Sequence, residues 1–181
     1  SLQRLRKRQF QQKTNKLLFF ILYSMITGVY GSTISSYLTL EEKRIHTAVD
    51  ASKVRYLFKF TNDMTGTVKY CYGRKITTND RYVKNDFLHR TSEDLFTYNI
   101  NFKPYGFWKY EVYEVTWLGT VTLTTETAPA TETHILTVGA ANGVVKGKVE
   151  EGKLYIQETA GSEQIKYTEH TTTETNYLYT N

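Results

Sequence analysis

Between Lys53 and Asp63 the chain alternates, with Val54, Tyr56, Phe58 and Phe60 on one side and Arg55, Leu57 and Lys59 on the other. A period of two over this length predicts a strand with one buried face. The turn formers of TNDMTG (61–66) follow, and 67–73 resumes the alternation with Val68, Tyr70 and Tyr72 on one face, so the two segments predict a β-hairpin. Residues 76–90 are polar and read as a loop with a short edge strand. Residues 94–102 alternate again, placing Phe96, Tyr98, Ile100 and Phe102 opposite Leu95 and Thr97. Pro104 and Gly106 predict a turn. Beyond it Trp108, Tyr110 and Val112 share one face, while Phe107, Lys109, Glu111 and Tyr113 share the wetter one.

The pattern changes at 123–134, LTTETAPATETH, whose Thr, Ala and Glu content reads as a linker or long exposed loop. Short strand candidates follow at 134–139, 143–149, 153–158, 164–170 and 176–180. They are separated by turn residues, as in a β meander. Residues 38–49, LTLEEKRIHTAV, form the one fair helical candidate. The expected class is therefore all-β, with a main domain over 15–122, a linker over 123–134 and a β meander with a tail arm over 135–181.

Composition agrees with strands. Thr, Tyr and Val are abundant, and only 2 Pro and 2 Met occur in 181 residues. The single Cys71 cannot close a disulfide within the chain and is expected to be a small buried hydrophobe. The net charge of +5 is unevenly spread. Residues 1–14 and the two that follow carry Arg4, Arg6, Lys7, Arg8, Lys13 and Lys16 and no acid, which leaves 17 basic and 18 acidic side chains beyond them. A near-neutral body with a basic arm follows, and the arm suits phosphate groups or an acidic partner surface, with a solvated terminus as the alternative. The arm leads into LLFFILYSMITGVYGS (17–32), which imitates a secretory signal. Its uninterrupted apolar run, Leu17–Leu22, falls far short of the roughly 20 residues that span a bilayer. A buried first strand is expected there, with a cleaved signal as the alternative.

The signatures of catalysis are missing from this pattern. His46, His89, His134 and His170 are scattered without metal-ligand spacing. No nucleophile elbow, phosphate loop or dinucleotide fingerprint is present. Glu111, Glu114 and Asp94 lie near aromatic residues, but a solvated strand face accounts for them more simply than a glycosidase pair. No enzyme activity, cofactor or metal is expected. The aromatic cluster after Pro104 is expected to be core and corner, formed by Phe58, Phe60, Phe102, Trp108, Tyr110 and Val112, rather than a platform for sugars or bases.

The corner INFKPYGFWKYEVYEV (100–115) resembles that of fibronectin- and immunoglobulin-type sandwiches. The order of segments NKLLFFILYS, YLFKFTNDMTGTVKY, TNDRYVKNDFL, INFKPYGFWKYEVYEV, VEEGKLYIQE and TNYLYTN is similar to small virion structural proteins of tailed bacteriophages of Bacteroidetes, including the crAss-like phages. The likeness covers most of 15–181, and departs at the arm and at 25–45. It implies an Ig-like β-sandwich with a C-terminal β extension or small second β subdomain. The implied role is a non-enzymatic neck or tail ring protein of the virion, or a capsid-decorating one. The implied partners are copies of itself and portal, neck, tail or capsid proteins, with no membrane, and DNA contact through the arm. Tyr177, Leu178 and Tyr179 are the expected assembly arm. A secreted carbohydrate-binding or adhesive sandwich is the reading from a different class.

Overall fold

The computed structural model describes residues 24–78 and 82–158. The fold is nearly all β, in two sheets. A five-stranded sheet runs in the order β1 (Ser24–Val29), β9 (Val144–Gln157), β8 (Gly106–Thr116), β3 (Val54–Asn62), β4 (Val68–Tyr72). The second sheet has β2 (Thr33–Leu38), β6 (Val83–His89) and β5 (Arg74–Thr78), and the two-residue β7 (Asn99–Ile100) continues the β5 side of β6. Pairing is antiparallel except for β1 with β9 and β6 with β7.

The alternation read in the sequence fixes the inner faces. Val54, Tyr56, Phe58 and Phe60 of β3 and Trp108, Tyr110 and Val112 of β8 are all buried in one cluster between the sheets, with Ile34, Leu38, Val83, Phe87, Leu154 and Ile156. The rings meet edge to face: Phe60 and Phe102 centroids are 4.9 Å apart at 90°, and Phe102 and Trp108 are 5.6 Å apart at 74°. Trp108 donates its indole N–H to the Pro104 carbonyl at 3.2 Å, so its one polar atom is satisfied. The sheets approach closely where β1 passes β2: a Cβ on Gly28 would lie 2.6 Å from Ile34, so only glycine fits there.

The β3–β4 hairpin forms as expected, with Leu57 opposite Tyr72 and Thr61 opposite Val68. Its turn is organised by the buried Asn62, whose side-chain oxygen accepts the N–H groups of Met64 at 3.0 Å and Thr65 at 2.9 Å. Cys71 points between the sheets and is fully buried, and that burial pushes its thiol pKa well above the ordinary value.

Four expectations are corrected. The polar stretch 76–90 contains β6, which is the centre of the smaller sheet rather than an edge; its inward positions alternate as Val83, Asn85, Phe87 and His89, and the two polar ones hid the pattern. Residues 94–102 are not one strand. Asp94 accepts the N–H of Phe96 at 2.9 Å, Tyr98 takes a φ of 55°, and only Asn99–Ile100 pair as a strand. Residues 38–49 form no helix, because Leu38 and Leu40 follow the strand period into the core and the rest is turns. Finally, 143–149 and 153–158 do not belong to a separate meander, and 134–139 contains no strand. Val144–Gln157 is a single strand seated between β1 and β8, with register shifts opposite Val112/Tyr113 and Glu114/Val115. The candidates at 164–170 and 176–180 lie outside the described residues.

Leu57, on the side of β3 expected to be wetter, is as buried as Phe58. Phe60→Ala and Leu57→Ala should therefore each cost about 2–5 kcal/mol in a denaturant melt, whereas Phe107→Ala, at a half-exposed ring, should stay within about 1 kcal/mol. A Leu57→Ala cost as small as that of Phe107→Ala would contradict a second buried face.

Candidate functional site

Part of the outer face of the five-stranded sheet is covered. Leu57, Tyr72 and Val115 pack there with Trp117 and Ala128, and Val121, Leu123 and Val145 close in at the margin. The cover is the connection from β8 to β9, Trp117–Gly143, of which the sequence assigned 123–134 to a linker or long exposed loop. It contains no strand, yet its backbone is tied throughout. Trp117 donates its indole N–H to the Thr127 carbonyl at 3.2 Å, and Gly143 donates to the same oxygen at 2.8 Å. Gly119 donates to the Ala140 carbonyl at 2.7 Å, and Tyr72 donates its hydroxyl to the Pro129 carbonyl at 2.8 Å. A Cβ on Gly143 would lie 2.5 Å from the Trp117 ring, so the return of the chain into β9 requires glycine. Connections this long without secondary structure are usually functional.

One charged anchor fastens this pad to the sheet. Glu132 accepts hydrogen bonds from the Lys59 ammonium at 2.5 Å and the Tyr70 hydroxyl at 2.6 Å. Burial works against the charged form of Glu132, but those two hydrogen bonds outweigh it and hold its pKa below the ordinary carboxylate value. Burial, and then the Glu132 hydrogen bond and charge, push the Tyr70 hydroxyl up to about 12. Beyond the anchor the pad turns apolar and outward: Ile135 is 90% exposed and Leu118 67%, and Val138 is wholly exposed. A groove of about 340 Å³ runs between 132–136 and 143–145. No Lys or Arg occurs from Trp117 to Val145.

At the same end of the molecule, the β2–β3 connection is held by a buried carboxylate. Glu114 accepts the backbone N–H groups of Ile45 at 2.6 Å and His46 at 3.0 Å. It is fully buried, contrary to the solvated strand face expected for it. Glu111 faces the other side of β8, bridged to Lys109 and Lys148 at 3.4 Å each, so the two carboxylates do not converge. Asp94 is exposed and caps its own turn. Near Glu114, Glu41 accepts from Lys75 at 3.2 Å and from the Tyr56 hydroxyl at 3.4 Å. Burial first, and then the Glu41 and Glu114 charges, raise the Tyr56 pKa well above its usual value. These groups are donors and acceptors that fasten a loop.

The expected core residues Phe58, Phe60, Phe102, Trp108, Tyr110 and Val112 come together, and none is accessible to a ligand. Arg4, Arg6, Lys7, Arg8, Lys13 and Lys16, and the arm residues Tyr177, Leu178 and Tyr179, lie outside the described residues. Among the described residues no group of three or more His, Cys, Asp or Glu is placed to hold a metal ion, and no helix is long and apolar enough to cross a membrane. His89 accepts the Phe102 N–H at 3.2 Å, and burial lowers its pKa. His134 accepts the Ala130 N–H at 3.0 Å within the pad.

Among the described residues the smaller sheet carries exposed apolar and aromatic side chains on its outer face. Tyr37 is 58% exposed, Ile76 42% and Tyr82 39%, with the Tyr37 and Tyr82 rings 5.7 Å apart at 64°. Sequence reasoning passed over Leu118, Ile135, Val138 and this tyrosine pair as exposed; the readable signal for the first three was a run without Lys or Arg too long for a turn. Compared with protein-family models, curated proteins and solved structures, the chain has no match.

The anchor makes the pad acid-sensitive. Since Glu132 has a folded pKa below its unfolded value of about 4.3, its stabilisation is present above that value and is lost as pH falls through the folded one. Hydrogen-exchange protection of the Gly119 and Gly143 amides, corrected for intrinsic rate, should fall across that window. In Glu132→Gln it should be low already at neutral pH and insensitive to acid. Equal protection in both proteins at neutral pH would rule the anchor out.

Proposed function

We propose that this chain is a non-enzymatic structural protein of a tailed-phage virion, an Ig-like sandwich in the neck or tail that docks onto copies and companions through sheet edges and terminal arms. The observation that carries this reading is where the aromatic rings lie. The rings that could form a ligand platform, Trp108 and Tyr110, are sealed between the sheets, while β2 and β5 end the smaller sheet with no strand beside them among the described residues. An edge with unpaired N–H and C=O groups accepts an added strand from another chain.

The Ig-like reading is supported by strand order. The sheet β9-β8-β3, extended by β4, corresponds to G-F-C with the added C′ strand, and β2-β6-β5 corresponds to B-E-D. In that correspondence the pad is the connection between F and G, one of the loops that variable domains use for binding. The Cys pair that bridges the two sheets of antibody domains has no counterpart in a chain with one Cys. The basic side chains from Arg4 to Lys16 suit packaged DNA or an acidic neighbour in a particle.

The secreted carbohydrate-binding reading needs exposed rings that share a plane. The exposed pair Tyr37 and Tyr82 is tilted by 64°, which weighs against it.

Deletion of 171–181 should abolish incorporation into particles while leaving the far-UV spectrum and melting behaviour of the core unchanged. Normal incorporation without those residues, read by mass spectrometry of purified particles, would overturn the arm-docking reading.

A further inference from the structure

Strand β9 is 14 residues long, but β1 accompanies only its second half, from Ser24 opposite Gly152 to Val29 opposite Gln157. On the other side β8 follows β9 along nearly its whole length, from Gly106 opposite Ile156 to Thr116 opposite Val144. Residues 144–151 therefore have a strand on one side and, among the described residues, none on the other. Backbone N–H and C=O groups on such a side are left to water or to an added strand. Apolar side chains stand along the opening. Val149 packs against the core from the inner side, Ile45 lies half-exposed against Gly147, and Val144 is half-exposed at the start of the strand.

Directly before Ser24 stands the longest uninterrupted apolar run in the sequence, Leu17 to Leu22 followed by Tyr23. The phase of β1 carries into it. Met25 and Thr27 are exposed while Ile26 between them is buried, so the same alternation puts Leu18, Phe20 and Leu22 on the inner side, toward Val149 and Ile45. In the register that sets Ser24 opposite Gly152, Leu17 falls opposite Val145. The extra residues that β9 holds opposite Val112/Tyr113 and Glu114/Val115 shift that meeting point by two at most. The run thus matches the open edge in length, and Lys16, the last basic residue of the arm, falls at the start of the strand.

We propose that residues 17–23 prolong β1 along this side of β9, so that the edge is completed by the chain's own segment. A strand from another molecule would have to compete with one joined to β1 without a linker, whose effective concentration at the edge is on the order of millimolar or more. Completion makes 144–151 interior to the sheet and closes that edge to neighbours. It also fixes where the basic arm leaves the body: Arg4 to Lys16 emerge beside Gly143, where the pad returns into β9. This inference does not depend on the virion role.

Ile21→Cys/Lys148→Cys in the full-length chain, treated with a short bismaleimide, tests it. Lys148 stands on the outer side of β9, bridged to Glu111 and Glu151, and Ile21 shares the outward phase of Met25. Cys71 is fully buried and stays out of the reaction. A peptide map should show positions 21 and 148 joined within one chain, at a yield unchanged by dilution. Ile21→Cys/Ile76→Cys, whose second site lies on the smaller sheet, should remain unbridged. In the parent, those amides of 145–151 that do not donate to β8 should exchange about tenfold more slowly than in Phe20→Asp/Leu22→Asp, while 152–157 stay protected in both.

Bridging between chains that rises with concentration would give the edge to a second copy and overturn the inference. So would a folded 21/148 protein left unbridged, equally ready bridging of the 21/76 pair, or equal exchange in the parent and a folded aspartate variant. The crosslinking result decides by itself if the aspartate variant does not fold. Particle incorporation of the 171–181 deletion bears on the terminal-arm reading alone, so either can fail without the other.

Discussion

Toward its C-terminal end β8 stops alternating: Glu114, Val115, Thr116 and then Trp117 are all buried. Val115 faces away from the smaller sheet, as do Leu57 on β3 and Tyr72 on β4, so an apolar patch stands on the outer side of the larger sheet. Left in water, each such side chain would forgo roughly 1.5–3 kcal/mol of burial. The β8–β9 connection therefore cannot be a free loop. It folds back over the patch, and the ordering of 27 residues without a ladder is offset by Trp117, Ala128 and the Glu132 anchor. That cover reaches part of the outer face of the larger sheet, while Phe107 and Lys109 farther along β8, and Tyr37, Ile76 and Tyr82 on the smaller sheet, stay exposed.

Three buried polar groups, Asn62, His89 and Glu114, stand near strand ends and hold loop backbone. Asn62 at the end of β3 holds the N–H groups of its own turn, His89 at the end of β6 holds Phe102, and Glu114 near the end of β8 holds Ile45 and His46. In each case an inward position on a strand supplies an acceptor to backbone that has no ladder partner. Such groups are costly to bury unless satisfied, so each connection is confined to one conformation.

How much could be read in advance follows from these two facts. Strands β3 and β8 were legible because their inner positions are apolar, β4 because Val68, Tyr70 and Tyr72 alternate on its outer face, and the sealed corner at Trp108 followed from the same period. Strand β6 was obscured because Asn85 and His89 occupy inner positions, and β9 was split into pieces by the glycines at 147 and 152 within it. The pad was least legible. Its Thr- and Ala-rich composition matches that of exposed linkers, and the information that it is packed sits elsewhere, in Leu57, Tyr72 and Val115. Leu57 in particular lies between Tyr56 and Phe58 in a segment where Arg55 and Lys59 argue for solvent.

The lone thiol at Cys71 faces the interior between the two sheets, beyond the reach of solvent. Alkylating reagents see it only when the layers part, so its rate of modification is a clock for opening of the whole body. The same position makes any maleimide label there a wedge rather than a tag, and surface attachment of a dye calls for a cysteine introduced elsewhere.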